Sequence, residues 1–371
     1  MSESFNNRGY EDYFKTLESQ LNNQNKPTKN SVSEQTVKPE SAKKHGIYKV
    51  IRLRKSVVAV FLTLVIVITG VSVAAIASSS KKEPEIPDDT ETSTKTEVKK
   101  EKPISYEFTD LTVEIPATND AKTAIVIDKS TNKVVAARNP HTKAYPASTT
   151  KIMTLLVAAE NIKDYNDTFT MTTAITDPLF VEGASVAGFL NKEVINMTDM
   201  LYGLILPSGA DAAVGLAVKI AGSEAAFVEL MNKKAKELNL KNTHFANVTG
   251  LHHEENYTSA YDLAIILDTA IKNPICREIL TTPKYTTTAT DKHPEGISFV
   301  ATLFTYLKGD EPETAVIHGG KTGFVNASGY CIASFGTANE SSNDYIVVTL
   351  GNSMRKVAFN GQIDLYKEFA K

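Results

Sequence analysis

Cysteine is scarce in this chain of 371 residues, which has only Cys276 and Cys331. Two thiols cannot build a disulfide framework, and they lack the paired spacing of a metal site, so both read as small buried apolar residues. Histidine offers a metal no more: His252-His253 lacks ligand spacing and the others are scattered. An excess of one charge is also missing, since the net charge of -3 gives no reason to invoke nucleic acid. What is present, 42% hydrophobic and 22% charged residues, describes an ordinary folded chain with room for one large domain or two smaller ones plus appendages.

Large apolar side chains are rare in the first stretch, where Asn, Ser, Gln, Lys and Glu dominate, so residues 1–55 are expected to be a disordered cytoplasmic tail. Charge then disappears from Ser56 to Ala77, a run of Val, Ile, Leu, Ala and Phe. As a helix it spans ~33 Å, enough for a bilayer core. Lys43, Lys44, Lys49, Arg52, Arg54 and Lys55 precede it, whereas the following segment mixes both signs, which orients the N-terminus to the cytoplasm and the bulk of the chain outside. A cleavable signal peptide is the alternative, because Ala75-Ile76-Ala77 fits an A-x-A site; the apolar run is longer than such segments usually have. Residues 78–105, rich in Ser, Thr, Lys, Glu and Pro, read as an extracytoplasmic linker.

The folded domain is expected over residues 106–371. Ala124–Asp128 and Lys133–Ala137 flank the polar Lys129-Ser130-Thr131-Asn132, a hairpin signal. Helical periodicity follows, clearest at Asp199–Leu206, Ala210–Ile220, Ser223–Leu238 and Ser259–Ile271. Strand signals return at Thr314–His318, up to an expected turn at Gly319-Gly320-Lys321, then at Tyr330–Phe335 and Tyr345–Leu350, before a closing helix from Lys356. Two strands before the helices and three after them predict an α+β fold, a five-stranded antiparallel sheet with the helical region inserted.

Chemistry concentrates first at Pro146-Ala147-Ser148-Thr149-Thr150-Lys151. A helix starting near Ser148 places that hydroxyl and the Lys151 amine on one face, pairing a nucleophile with a base whose pKa burial can lower. Ser-x-x-Lys also occurs at Ser41, Ser78, Ser79, Ser130 and Ser353, and the plain alternative for Ser148 is a helix N-cap followed by a solvated lysine. Lys321-Thr322-Gly323 occurs once, after a double glycine; it offers a cation, a hydroxyl and a close backbone approach for a carboxylate, or it is an ordinary turn. Between them Leu206-Pro207-Ser208-Gly209-Ala210 joins two apolar helical segments and either places Ser208 in a cleft or merely connects helices.

In this order, Ser148-Thr149-Thr150-Lys151, Ser208-Gly209-Ala210 and Lys321-Thr322-Gly323 resemble the three motifs of the penicillin-recognising serine enzymes. Gly250-Leu251-His252 and Tyr257-Thr258-Ser259-Ala260-Tyr261-Asp262 resemble their D-alanyl-D-alanine carboxypeptidase branch. The resemblance implies a β-lactamase/transpeptidase-like fold and a low-molecular-mass penicillin-binding protein that removes the terminal D-Ala from peptidoglycan stem peptides and is acylated by β-lactam antibiotics. It further implies Ser148 as nucleophile, Lys151 as general base, Ser208 as proton relay, and Lys321 and Thr322 on the substrate carboxylate. Gly323 allows close approach, and the N–H groups of Ser148 and Phe324 form an oxyanion hole. No cofactor or metal is implied. One departure concerns the middle motif, which usually ends in an Asn that contacts the substrate amide and helps fix the lysine; here that position is Ala210.

Architecture and localisation follow as expectations: one extracytoplasmic catalytic domain on a stalk, held in the cytoplasmic membrane by a single N-terminal span. Rival readings are a weakly active or non-catalytic penicillin or muropeptide sensor, suggested by Ala210; a β-lactamase, for which no deacylating glutamate is assigned; and a zinc peptidase, for which His252-His253 is unsuited.

Overall fold

The computed structural model describes residues 104–307 and 309–371. The expected tail, the Ser56–Ala77 span and nearly all of the linker lie outside the described residues; among those described, no helix is long and apolar enough to cross a membrane.

Six strands form the main sheet: β1 (Glu107–Glu114), β2 (Thr123–Asp128), β3 (Lys133–Arg138), β8 (Ala315–Val325), β9 (Gly329–Ala338) and β10 (Asp344–Asn352), in the order β1-β3-β2-β10-β9-β8. Two short hairpins stand apart from it, β4 (Thr168–Thr170) with β5 (Val194–Asn196) and β6 (Lys284–Thr286) with β7 (Ser298–Val300). Alternation along β2 explains its continuous burial. Ile125 and Ile127 join the large helical core on one face, while Ala124 and Val126 pack on the other with Phe359, Ile363 and Tyr366.

Helices fill the space between β3 and β8 in the chain: α1 (Lys151–Asn161), α2 (Thr173–Val181), α3 (Met197–Ile205), α4 (Ala210–Ala221), α5 (Glu224–Glu237), α6 (Ala260–Lys272), α7 (Pro274–Thr281) and α8 (Thr302–Leu307); α9 (Arg355–Phe369) closes the fold. Ser223 and Ser259 cap α5 and α6 by accepting N–H bonds from Ala226 and Asp262, as their sequence positions suggest.

Two expectations need correction. The five predicted strands are neighbours with antiparallel pairing, but β1 adds a sixth strand, parallel to β3, so the sheet is mixed rather than purely antiparallel. This strand buries little: its apolar residues Phe108, Leu111 and Val113 are all exposed, Leu111 by 81%, so it contributes no core face of its own. Nor is Gly319-Gly320-Lys321 a turn. Strand β8 runs through it, with an irregularity between Ile317 and Gly319, because a Cβ on Gly319 would meet the Leu280 carbonyl at 2.2 Å and one on Gly320 the Ala333 carbonyl at 2.2 Å. Here the glycines permit close backbone approach.

Candidate active site

A 3-10 turn, Ala147–Thr150, carries Ser148 directly into α1. Thr149 tightens it, its N–H and hydroxyl both donating to the Pro146 carbonyl at 3.3 and 2.7 Å. Ala147 adopts φ +48°, an uncommon conformation for a residue with a Cβ. The first residue of α1 is Lys151, 2% exposed, with Nζ 3.1 Å from Ser148 Oγ and donating to the Thr249 carbonyl at 2.6 Å. Burial pushes its pKa down to about 7, against a smaller upward pull from the Asp211 carboxylate. A large share of the amine is therefore neutral at physiological pH and able to take a proton from the serine.

The segment between α5 and α6 packs against this turn. Gly250, at φ +81°, fits so closely that a Cβ would lie 1.9 Å from the Ala147 carbonyl oxygen. Thr154, one helical turn after Lys151, donates to the Val248 carbonyl at 2.7 Å. His252 meets the Tyr145 ring edge-on, with centroids 4.8 Å apart. The Gly250-Leu251-His252 motif thus forms one wall around the Ser148 turn. The Thr249 carbonyl itself was not foreseen, because a backbone acceptor leaves no mark in residue type.

Ser208 precedes α4 at φ +65° and is mostly buried. Its turn is fastened to residues 185–189: the Ala210 N–H donates to the Ser185 carbonyl at 2.8 Å, and Gly209 packs so closely that a Cβ there would lie 2.8 Å from Ala187 N. Buried Asp211 completes the clamp, its carboxylate accepting from the N–H groups of Ala187, Gly188, Phe189 and Ala212 at 2.7–3.2 Å. Ala210 is buried and presents only a methyl group. Asp211 was missed by the sequence reading, although an acidic residue in a helix's first turn was its available signal.

Lys321 lies on β8, the edge strand, and is 2% exposed with its amine donating to the Thr322 carbonyl at 2.8 Å. Burial, and then the nearby Lys151 charge, holds its pKa well below the usual lysine value. Gly323 brings β8 against the Ser148 turn: a Cβ there would stand 2.7 Å from Ser148 N and 2.9 Å from Thr149 N. Phe324 is half exposed and stacks on Tyr330 with centroids 4.3 Å apart. Strand β8 and the Ser148 turn are therefore in direct apposition, and the Lys151 amine lies within electrostatic reach of both Asp211 and Lys321. Cys276 and Cys331 are buried free thiols.

Residues 110–354 match the protein family described as D-alanyl-D-alanine carboxypeptidase. The D-alanyl-D-alanine carboxypeptidase DacF of Bacillus subtilis is 34% identical over 253 residues, covering 68% of this chain and 62% of the relative. DacC of Escherichia coli is 31% identical, covering 67% of this chain and 60% of the relative. The matched part thus spans less than two thirds of either relative's length. Among solved structures, the Streptomyces K15 DD-transpeptidase is similar over 68% of this chain and 99% of its own, with a TM-score of 0.61 and 26% identity. Penicillin binding protein 5 of Haemophilus influenzae is similar over 68% of this chain and 70% of its own, with a TM-score of 0.59 and 28% identity.

Proposed function

Because the chain belongs to the D-alanyl-D-alanine carboxypeptidase family, we propose that it is a serine hydrolase that removes the terminal D-Ala from peptidoglycan stem peptides through an acyl-enzyme on Ser148. Neutral Lys151 takes the Ser148 proton as Oγ attacks the carbonyl between the two D-alanines. The N–H groups of Ser148 and Phe324 receive the developing oxyanion. Ser208 relays a proton to the leaving amine, D-Ala departs, and water hydrolyses the ester to regenerate Ser148.

Lys321 and Thr322 hold the substrate's terminal carboxylate. Two buried amines repel each other when both are charged, so an incoming anion favours a charged Lys321 beside a neutral Lys151, the arrangement that attack requires. β-Lactams acylate the same serine and act as covalent inhibitors. The apolar Ser56–Ala77 run and its basic flank support a single membrane span with the catalytic domain outside.

The observation that carries this reading is the 3.1 Å contact between Ser148 Oγ and a fully buried lysine. Its test is D-Ala release from a pentapeptide ending in D-Ala-D-Ala by the full chain, with Ser148→Ala as control; loss of at least ~10³-fold in the control is expected. Ala210 favours a second reading, a penicillin- or muropeptide-binding sensor. Penicillin labelling of Ser148 without any D-Ala release would select it.

A further inference from the structure

We propose that Asn247 is the positioning residue of the general base: its carboxamide fixes the Thr249 carbonyl that aims Lys151 at Ser148, a task to which Ala210 contributes no polar atom. The inference rests on the acyl-enzyme reading above and names the residue through which that chemistry is aligned.

A neutral amine has one lone pair and two N–H groups, so it accepts the serine proton only when an N–H is anchored elsewhere and the lone pair faces Oγ. In the hydrogen-bond arrangement of Lys151 that anchor is the Thr249 carbonyl at 2.6 Å. Thr249 belongs to neither a helix nor a strand, so no secondary-structure ladder holds its carbonyl in place.

Asn247 supplies the restraint. Its Oδ1 accepts from Thr249 N at 3.2 Å, Thr249 Oγ1 at 3.2 Å and Gly250 N at 2.7 Å, while its Nδ2 donates to the Leu251 carbonyl at 3.0 Å. All four bonds go to residues 249–251, the segment that presents the carbonyl. Thr249 Oγ1 in turn accepts from Leu251 N at 3.2 Å. The flanks are pinned independently: Val248 N donates to Glu224 Oε1 at 3.1 Å, its carbonyl accepts from Thr154, and Gly250 abuts Ala147. Loss of Asn247 therefore loosens the carbonyl locally while the flanking anchors stay.

The charged groups bearing on the Lys151 amine are Asp211 at the start of α4 and Lys321 on β8; Glu224 of α5 reaches only the far end of the segment, and Val248–Leu251 carries no charge. Burial is the main cause of the lowered lysine pKa. A loosened cover admits water and raises it.

Asn247→Ala and Asn247→Asp in the full chain, compared with the parent from about pH 5 to about pH 10, test this by penicillin acylation and D-Ala release. Asn247→Ala is expected to slow acylation ~10- to 100-fold at its alkaline plateau, with KM changed less than ~3-fold, and to move the acid limb to higher pH. Asn247→Asp retains the accepting oxygen and is expected to restore the plateau to within ~5-fold of the parent. A folded Asn247→Ala with the parent's rate and acid limb overturns the proposal, and so does equal slowing of both variants with an unmoved limb. Should Asn247→Ala not fold, Asn247→Ser decides: slowed acylation with the acid limb moved to higher pH supports the assignment, and a folded variant with the parent's rate and limb overturns it. A parent that is neither acylated nor releases D-Ala sinks the acyl-enzyme reading itself.

Discussion

The turn at Ala147-Ser148 and the turn at Ser208-Gly209-Ala210 solve one mechanical problem with different electrostatics. Each passes through a positive φ on a residue with a Cβ, +48° at Ala147 and +65° at Ser208. Such conformations cost about 1–3 kcal/mol each and persist only where the surroundings over-determine them. At Ser148 the clamp is Gly250 together with a segment folded by the neutral Asn247; at Ser208 it is the carboxylate of Asp211, bonded to four backbone N–H groups. The carboxylate also pulls the Lys151 pKa upward while burial pulls it further down. A base balanced near neutrality tolerates one such anion beside it.

The largest break in this comparison comes from Gly250→Ala. A Cβ would lie 1.9 Å from the Ala147 carbonyl oxygen at a φ of +81°, so one strained turn is forced against another. We expect a stability loss of ~3 kcal/mol or more, a fall in Tm on the order of 10 °C, and slow penicillin labelling of whatever remains folded. Thermal denaturation with a labelling assay checks it; parental values for both would mean that the segment can move aside freely.

Asp211→Asn tests the other clamp. An amide in place of the carboxylate leaves at least one N–H donor facing another donor, a cost of about 1–3 kcal/mol in the buried site. The lysine loses its neighbouring anion, so its pKa falls and the acid limb of the acylation profile moves to lower pH, opposite in sign to Asn247→Ala. A limb that rises instead would show that water entry outweighs the lost charge.

The parent should also grow more stable with rising pH through the same group. Lys151 has a folded pKa of about 7 against an ordinary 10.5, so the unfolded chain binds more protons between those values and the group's contribution to stability rises across that window. Lys321 adds in the same direction. Urea melts across the window read this slope in the parent and in Asp211→Asn.

The smallest effect is expected from Glu224→Gln. The replacement still accepts the Val248 N–H, so stability should change by less than about 0.5 kcal/mol and the acid limb should not move. A shifted limb would mean that the Glu224 charge reaches Lys151.

Much of this site can be read from residue order. Ser148, Lys151 and Lys321 come from segments that meet where β8 lies against the Ser148 turn, and the long buried strands and capped helices announce themselves through periodicity and Ser caps. What hides is of another kind. Strand β1 is short in apolar residues and leaves them exposed, the double glycine before Lys321 signals close backbone approach and a turn alike, and the Thr249 carbonyl belongs to no residue type.

The sequence by itself determined which hydroxyls and amines stand at catalytic spacing, Ser148 with Lys151 and Lys321 with Thr322, because side-chain chemistry at fixed spacing along a helix or strand needs no partner to be recognised. Only the tertiary structure decided that the Lys151 amine is buried with a lowered pKa and that Asn247 and Asp211 bond the two turns. Burial, backbone acceptors and contacts between distant segments, such as Gly250 against Ala147 and Gly323 against Ser148, exist only once the helices have closed over the sheet.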